Sequence, residues 1–421
     1  MNSQTEFQCW MKKKGTKFGF WHKVFVKIDE NDHFLICKSE KKVKHDILII
    51  PETIVDFYGN DNKKFLIRNP DQLNLIFSTN DENVCNAWVQ ELREIALNSH
   101  EYTIERFDTI RVLGKGSYGK VILAKDKLTN NFYAIKTIKK SRIVQNGRVS
   151  TIFNERNILS KLDNPFIVRT YFAFQTDTKF CFGLEYVSGG ELFHYLSEEG
   201  TLTINEVRLY IAEITSGLEY LHSVNIIYRD LKPENVLIDE DGHIKLTDFG
   251  LAKDISEDSK ASTLCGTLEY LAPEVVKEEK PYGVEVDWWG LGILTYEMLF
   301  GDPPFCDENK TKLFKKICEE EPIFPDNTDQ ATISFIKGLL NKNSEERLKY
   351  QQIISHPFFN GINFDYVNRK MYKPKFIPKY FTRTIDVSDT SHEFITGSES
   401  APVRVEYDEF SFCNPKLINN F

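Results

Sequence analysis

Tyr228-Arg229-Asp230-Leu231-Lys232-Pro233-Glu234-Asn235, followed thirteen residues later by Asp248-Phe249-Gly250, is the stretch that decides how this chain is read. It sets two carboxylates, an amide and a lysine where a nucleotide triphosphate, its metal ions and a hydroxyl substrate would meet. Phosphoryl transfer offers a protein little covalent chemistry, so positioning and charge neutralisation carry the catalysis. In such a site Asp230 would accept or orient the hydroxyl proton, and Lys232 would steady the moving phosphate. Asn235 and Asp248 are hard oxygen ligands suited to Mg2+. A lone Asp-Phe-Gly is a weak signal; the two elements at this spacing are a strong one.

Working outward, 421 residues exceed one ordinary domain, and two or three are expected. Hydrophobic residues at 41% and charged residues at 27% describe a globular chain, not a disordered one. No apolar run approaches the roughly eighteen residues of a membrane span. Met1 to Lys14 has lysines but no following apolar stretch, so it does not read as a secretory signal. The eight cysteines form no C-x-x-C pair. Neither a zinc site nor a disulfide framework is expected, and a reducing cytosol is the simplest home.

The net charge of −9 is uneven: Lys12 to Lys44 holds ten lysines against Asp29, Glu30, Asp32 and Glu40. Charge alone leaves two readings open, a solvated surface or a basic face for anionic lipid headgroups. Nucleic acid is not expected as a partner, because the interleaved aromatics look like strand cores and not stacking platforms.

Residues 6 to 78 alternate short apolar runs with polar turns, predicting strands at Phe20–Ile28, Phe34–Lys38, Ile47–Ile50, Thr53–Phe57, Phe65–Arg68 and Leu73–Ser78. From Asp81 the pattern turns helical, with Val84, Ala87, Trp88, Glu91, Leu92 and Ile95 at three- and four-residue spacing. Residues 98–106 read as a short polar linker. A β-rich block follows at 107–187, interrupted by a helix around Ile152–Leu162, and helical patterning then runs to His356-Pro357-Phe358-Phe359. The tail, 360–421, has little regular pattern.

Further motifs fall in order. Leu113-Gly114-Lys115-Gly116-Ser117-Tyr118-Gly119-Lys120-Val121 is G-x-G-x-x-G-x-V, whose glycines let backbone close over phosphates. Alone it is equally an ordinary hairpin, but a strand follows it and not a helix, which argues against a dinucleotide fold. Lys136 in Tyr133-Ala134-Ile135-Lys136 lies inside the next strand, where an unpaired charge is costly. Its expected partner is Glu155, with Lys136 holding the α- and β-phosphates. Leu184-Glu185-Tyr186-Val187 reads as a hinge whose Glu185 and Val187 backbone would meet adenine. Ala272-Pro273-Glu274, paired with Arg347, and Asp287-Trp288-Trp289-Gly290 read as structural anchors.

These elements together resemble a protein kinase: a small β lobe followed by a large α lobe. The first hundred residues, seven or so strands closed by a Trp-bearing helix after Trp10-Met11-Lys12-Lys13-Lys14-Gly15, resemble a pleckstrin homology (PH) domain. Tyr228 stands where most kinases carry His, and Cys265-Gly266-Thr267 precedes Ala272-Pro273-Glu274. With the tail, this is similar to the AGC group of serine/threonine kinases and, given the PH domain, to the protein kinase B (Akt) family. The implied architecture is α+β and multidomain. It comprises a PH-domain β-barrel with a C-terminal helix (5–97), a linker (98–106), a bilobal kinase domain (107–359) and an AGC tail (360–421).

The resemblance implies ATP and Mg2+ as cofactors and a non-specific serine/threonine protein kinase activity. Substrates would carry arginines upstream of Ser or Thr, read by Glu191, Glu234 and Glu297, with Thr267 favouring Ser/Thr over Tyr. Thr263 matches the activation-loop phosphosite of an upstream kinase, with Arg229 and Lys253 as receivers of the phosphate. Ser411 matches a C-terminal hydrophobic motif, and a turn-motif site would fall near Ser398 or Ser400. Lys13, Lys14 and Lys23 would form a phosphoinositide site, implying a cytoplasmic protein reversibly recruited to the plasma membrane. The chain departs from the family in its linker of nine residues, shorter than the family's, and at four further places. The basic pair of the second PH strand is reduced to Lys23, Leu268 replaces a Pro, Tyr407 replaces a Phe, and Thr151 stands where a His often meets the loop phosphate.

Overall fold

The computed structural model describes residues 7–15, 19–29, 33–40, 42–50, 53–59, 62–68, 74–98, 102–116, 119–256, 261, 263–277, 281–378, 407 and 410–414, without the side chains of 94, 97 and 98. Ser117, Tyr118, Ser398 and Ser400 lie outside the described residues. The chain forms two compact units, one from Met1–Lys140, Tyr171–Gly183 and Thr390–Phe421, the other from Ser141–Thr170 and Leu184–Asp389.

The first unit holds two sheets. Seven strands, β1 (Gln8–Lys14), β2 (Trp21–Ile28), β3 (His33–Ser39), β4 (Lys42–Leu48), β5 (Ile54–Phe57), β6 (Lys64–Arg68) and β7 (Leu75–Ser78), pair in the order β4-β3-β2-β1-β7-β6-β5. The outermost strands β4 and β5 do not pair with each other, so the barrel expected from the sequence is an open sheet among the described residues. Alternation puts Met11, Val26, Phe34, Ile36, Phe65 and Phe77 on one face. Helix α1 (Glu82–Asn98) lays Cys85, Trp88, Val89 and Leu92 against it. Val84 and Ala87, which the spacing had assigned to that face, are exposed, because the buried stripe begins one residue later.

The second sheet comprises β8 (Phe107–Lys115), β9 (Gly119–Asp126), β10 (Phe132–Lys139), β11 (Thr170–Gln175) and β12 (Lys179–Glu185). A tail strand, Phe412–Cys413, joins its edge by pairing with Phe172 and Ala173 of β11. Phe107, Tyr133, Phe172 and Phe174 form its aromatic core. The expected linker 98–106 is partly absorbed into this core. Tyr102 stacks on Phe172 with centroids 3.7 Å apart, and Arg106 forks onto the buried Asp126 carboxylate through Nε (3.0 Å) and Nη2 (2.6 Å). A single Tyr and Arg within a polar run give no periodic signal, which is why sequence patterning passes over them.

Helices α2 (Lys140–Gln145), α3 (Val149–Leu159), α4 (Leu192–Glu199), α5 (Ile204–Ser223), α6 (Pro273–Lys277), α7 (Glu285–Phe300), α8 (Lys310–Glu319) and α9 (Gln330–Leu339) follow. α5 and α7 are buried around most of their circumference, as expected of central helices. α5 is tied to the segment leading to Asp248 by a buried pair. Glu213 Oε1 meets His243 Nδ1 at 2.5 Å, and Glu213 Oε2 accepts from Ile244 N at 2.9 Å. That cluster fixes the floor on which the candidate site stands.

Candidate active site

The loop 228–235 is held from below by one buried carboxylate. Asp287, in the first turn of α7, accepts from the backbone N–H of Tyr228 (2.9 Å) and of Arg229 (2.8 Å), and meets His222 Nε2 at 2.8 Å. Arg229 and Asp248 both adopt positive φ, +67° and +54°. For branched or long L side chains this region is unfavourable and is kept only where the surroundings impose it. Arg229 is imposed on by Asp287 and by its own Nε, which donates to Leu251 O at 2.7 Å. Tyr228 is fully buried, and its hydroxyl donates to the carbonyls of Thr247 and, at 3.4 Å, Asn235. Burial and then the carboxylates of Asp230, Asp248 and Asp287 hold that phenol well above its ordinary range, so it stays a donor.

On this frame the catalytic candidates converge. Asn235 Nδ2 donates to Asp230 Oδ2 at 2.7 Å and to the Asp230 carbonyl at 2.8 Å. Lys232 Nζ lies 3.3 Å from Asp230 Oδ2 and 3.1 Å from Thr267 Oγ1, and Thr267 Oγ1 is 3.5 Å from Asp230 Oδ1. One carboxylate is therefore held by an amide, an ammonium and a hydroxyl. With Asn235 Nδ2 committed to Asp230, its Oδ1 is the atom suited to a cation. Asp248 offers an exposed carboxylate whose Oδ1 accepts from Gly250 N at 3.3 Å. Among the described residues no three His, Cys, Asp or Glu side chains form a self-sufficient metal cage. That donor set fits Mg2+, which commonly takes one or two protein oxygens and completes its shell with substrate phosphates and water.

Phe249 is buried edge-on to Tyr228, with centroids 5.3 Å apart. Helix α3 is strapped to the segment that follows. Asn154 Nδ2 donates to Ala252 O at 2.9 Å, and Lys161 Nζ meets Asp254 at 3.1 Å. Glu155 is buried in α3, and a Cβ at Gly250 would come within 3.7 Å of its Oε2. Glu185 has its carboxylate 3.2 Å from Lys245 Nζ and its N–H on Arg169 O. Val187 follows two residues on, in non-helical, non-strand backbone.

In the first unit, the glycine-rich hairpin is made by β8 and β9, where Gly114 faces Val121, Lys115 faces Lys120, and Gly116 N donates to Gly119 O at 2.9 Å. Gly119 has a steric reason, since any Cβ there would collide with the Thr137 carbonyl. Lys136 is half-buried on β10 directly opposite Val121, away from the aromatic core face that Tyr133 and Ile135 occupy.

The acidic candidates cluster through Glu234. Glu191 is raised above its ordinary carboxylate value by burial first, with Glu234 adding to the rise against His194. Glu297 is raised by burial, with Glu234, Asp302 and Glu269 adding repulsion, while Tyr270 donates a hydrogen bond to it. Tyr270 is a member of this group that sequence reasoning missed. Thr263 is exposed, with its carbonyl on the Tyr282 hydroxyl, and Lys253 pairs with Ile227 in a short strand. Thr151 is exposed on α3. In the tail, Phe410 is fully buried against Phe180 (4.6 Å) and Phe182 (5.5 Å). Tyr407 exchanges hydrogen bonds with Gln175, and Ser411 stands exposed between Phe410 and the tail strand.

The three basic candidates of the first sheet are not brought onto one face. Lys13 lies opposite His22, Lys14 opposite Trp21, and Lys23 opposite Lys12. Lys13 therefore shares the Met11 face, whereas Lys14 and Lys23 look the other way, Lys23 Nζ sitting 4.9 Å above the Trp10 ring. Lys13 is lowered by burial and by Lys44, and His45 by burial, Lys13 and Lys44. His22, Lys44 and His45 are thus the companions of Lys13 that the run of lysines concealed.

Comparison with known proteins agrees with this geometry. Residues 107–359 match the protein kinase domain, and residues 5–96 match the PH domain. The chain is 42% identical over 312 residues to RAC-beta serine/threonine-protein kinase B of Xenopus laevis, covering 73% of this chain and 64% of the relative. It is 41% identical over 326 residues to the RAC-beta kinase of Mus musculus (76% and 67%). It is 44% identical over 296 residues to serine/threonine-protein kinase gad8 of Schizosaccharomyces pombe (69% and 52%). The chain belongs to the protein kinase family, as a PH-domain member of the AGC serine/threonine kinases. The match spans just under two thirds of the length of the Xenopus relative.

Proposed function

We propose that the chain is an active serine/threonine kinase that uses ATP with Mg2+ and transfers the γ-phosphoryl group to Ser or Thr preceded by arginines. The observation that carries this reading is the closed set of hydrogen bonds around Asp230, with Asn235, Lys232 and Thr267 each contributing a donor. Asp230 so held can orient a substrate hydroxyl and take its proton, while Lys232 can neutralise charge on the moving group. Asn235 Oδ1 and Asp248 would hold Mg2+, which supplies charge neutralisation on the phosphates. Gly114 to Val121, Ser117 and Tyr118 included, would cover the phosphates. Lys136 would hold the α- and β-phosphates with Glu155 as its counter-charge, and the backbone of Glu185 and Val187 would meet adenine.

Glu191, Glu234 and Glu297 would receive substrate guanidinium groups, for which two half-buried carboxylates beside an exposed one are well suited. Thr263 and Ser411 would be the activating phosphosites, Arg229 and Lys253 receiving the first. The PH domain would recruit the protein from the cytoplasm to membrane phosphoinositides, with Lys13 at its headgroup site and Lys14 and Lys23 contributing from the other face. Domain limits at 5–97, 107–359 and 360–421 belong to the same proposal.

The test is labelled-phosphate transfer to a peptide bearing arginine three residues before its Ser, using protein phosphorylated on Thr263. Transfer that Asp248→Ala abolishes supports the reading. Absence of transfer would leave a binding-only pseudokinase.

A further inference from the structure

Tyr282 grips the activation segment twice. Its backbone exchanges two 2.8 Å hydrogen bonds with Ala261, an isolated antiparallel bridge. Its hydroxyl donates to the Thr263 carbonyl at 2.5 Å and accepts from Arg229 Nη1 at 3.2 Å. The ring is buried. Burial, with the neighbouring Cys265 thiol of the same segment adding to it, pushes the phenol above its ordinary range against the pull of Arg229, which favours the protonated form that can donate and accept together. Arg229 is also held elsewhere, its backbone N–H on Asp287 and its Nε on Leu251 O, and the next residue is Asp230.

We propose that Tyr282 is a positioning residue. In the chain without phosphate on Thr263, its hydroxyl couples the activation segment to Arg229 and thereby holds Asp230 in place. This rests on the reading of the chain as a kinase switched at Thr263. A phosphate on Thr263 brings its own oxygens to Arg229, a stronger charge-assisted contact than a phenol provides. The Tyr282 hydroxyl therefore sets activity before phosphorylation and matters much less after it.

The experiment compares wild type and Tyr282→Phe, each with threonine or with phosphothreonine incorporated at position 263. Phenylalanine keeps the ring and the backbone bridge to Ala261, so thermal unfolding should be little changed. Without the phosphate, kcat should fall roughly tenfold with the peptide KM unchanged, the size expected for loss of one charged-group hydrogen bond. With the phosphate, kcat should stay within about twofold of wild type. An equal fall in both states, which a simple packing role would give, or no fall in the unphosphorylated state, overturns the proposal.

Amide hydrogen exchange across residues 261–265 supplies a readout independent of turnover. It should quicken in unphosphorylated Tyr282→Phe and not in the phosphorylated form; unchanged exchange overturns the coupling. Wild-type protein that transfers no phosphate in either state would instead refute the kinase reading, leaving the exchange data to judge Tyr282.

Discussion

Arg347 holds Glu274 in a two-pronged ion pair, Nη1 to Oε1 at 2.6 Å and Nη2 to Oε2 at 2.9 Å, with the guanidinium fully enclosed. Arg347 Nη1 also reaches Glu285 O at 2.7 Å, and its Nε and Nη2 reach Asn341 O. One planar side chain thus joins α6, the start of α7 and the loop after α9. Arg347→Ala should lower stability by about 3–5 kcal/mol, because the half-buried Glu274 carboxylate and the Glu285 and Asn341 carbonyls all lose their partner. Arg347→Lys should not restore it, since an ammonium cannot span both oxygens and the carbonyls. The denaturant midpoint of unfolding measures both.

Thr267 donates toward Asp230 and accepts from Lys232. Thr267→Ala should reduce kcat roughly tenfold with little change in peptide KM, consistent with loss of hydrogen bonds to charged groups. Thr267→Ser, which keeps the hydroxyl, should retain most of the rate. A matching rise in KM would mean that Thr267 binds substrate instead of orienting Asp230.

Glu191 and Glu297 are both raised by burial, with Glu234 adding to the rise. A raised carboxylate pKa means that the folded protein favours the proton, so these groups make folding less favourable as pH rises through their titration. An arginine needs the charged form, and so peptide binding should release protons and tighten as pH rises, levelling off once both carboxylates are ionised. Glu234→Gln removes the shared repulsion, and the inflection of peptide KM against pH should move to lower pH. Steady-state kinetics with an arginine-bearing peptide from pH 5 to 8 would show it, and a flat KM would count against the acidic cluster as the arginine reader.

Phe410 is fully buried between Phe180 and Phe182, while the tail strand adds only two residues to the sheet. Phe410→Ala should cost the docked tail about 3–5 kcal/mol, more than so short a strand can offset. Limited proteolysis should then cut the tail much faster than in wild type, whereas Ser411→Ala should leave the cutting rate nearly unchanged.

Lys13 shares a face with His22, and Lys23 does not. Lys13→Ala should weaken sedimentation with phosphoinositide-containing liposomes several-fold more than Lys23→Ala. An equal loss would indicate general attraction to anionic membranes, in which each exposed lysine counts alike.

Much of the site was legible because its chemistry is local in sequence. Asp230, Lys232 and Asn235 are spaced within one loop, and Asp287 and Arg347 carry buried charges whose partners could be anticipated. The strand Lys42–Leu48 was recognised only at Ile47, because Lys42 to Asp46 is exposed and charged and shows no alternation. Tyr270 and Tyr282 escaped for another reason: a tyrosine's hydroxyl partner is set by where distant carbonyls and carboxylates arrive.

The sequence by itself determined the order of the elements and the kinase family to which the chain belongs. Those follow from residue types at short spacings, which bond geometry converts directly into proximity. Only the tertiary structure decided the rest. Strand register separated Lys13 from Lys23, because neighbouring strands fix which face each side chain takes. Packing turned Tyr102 and Arg106 from linker into core, and brought Tyr282 between Thr263 and Arg229. Long-range contacts of that kind depend on how the whole chain closes around its core, and no local pattern encodes them.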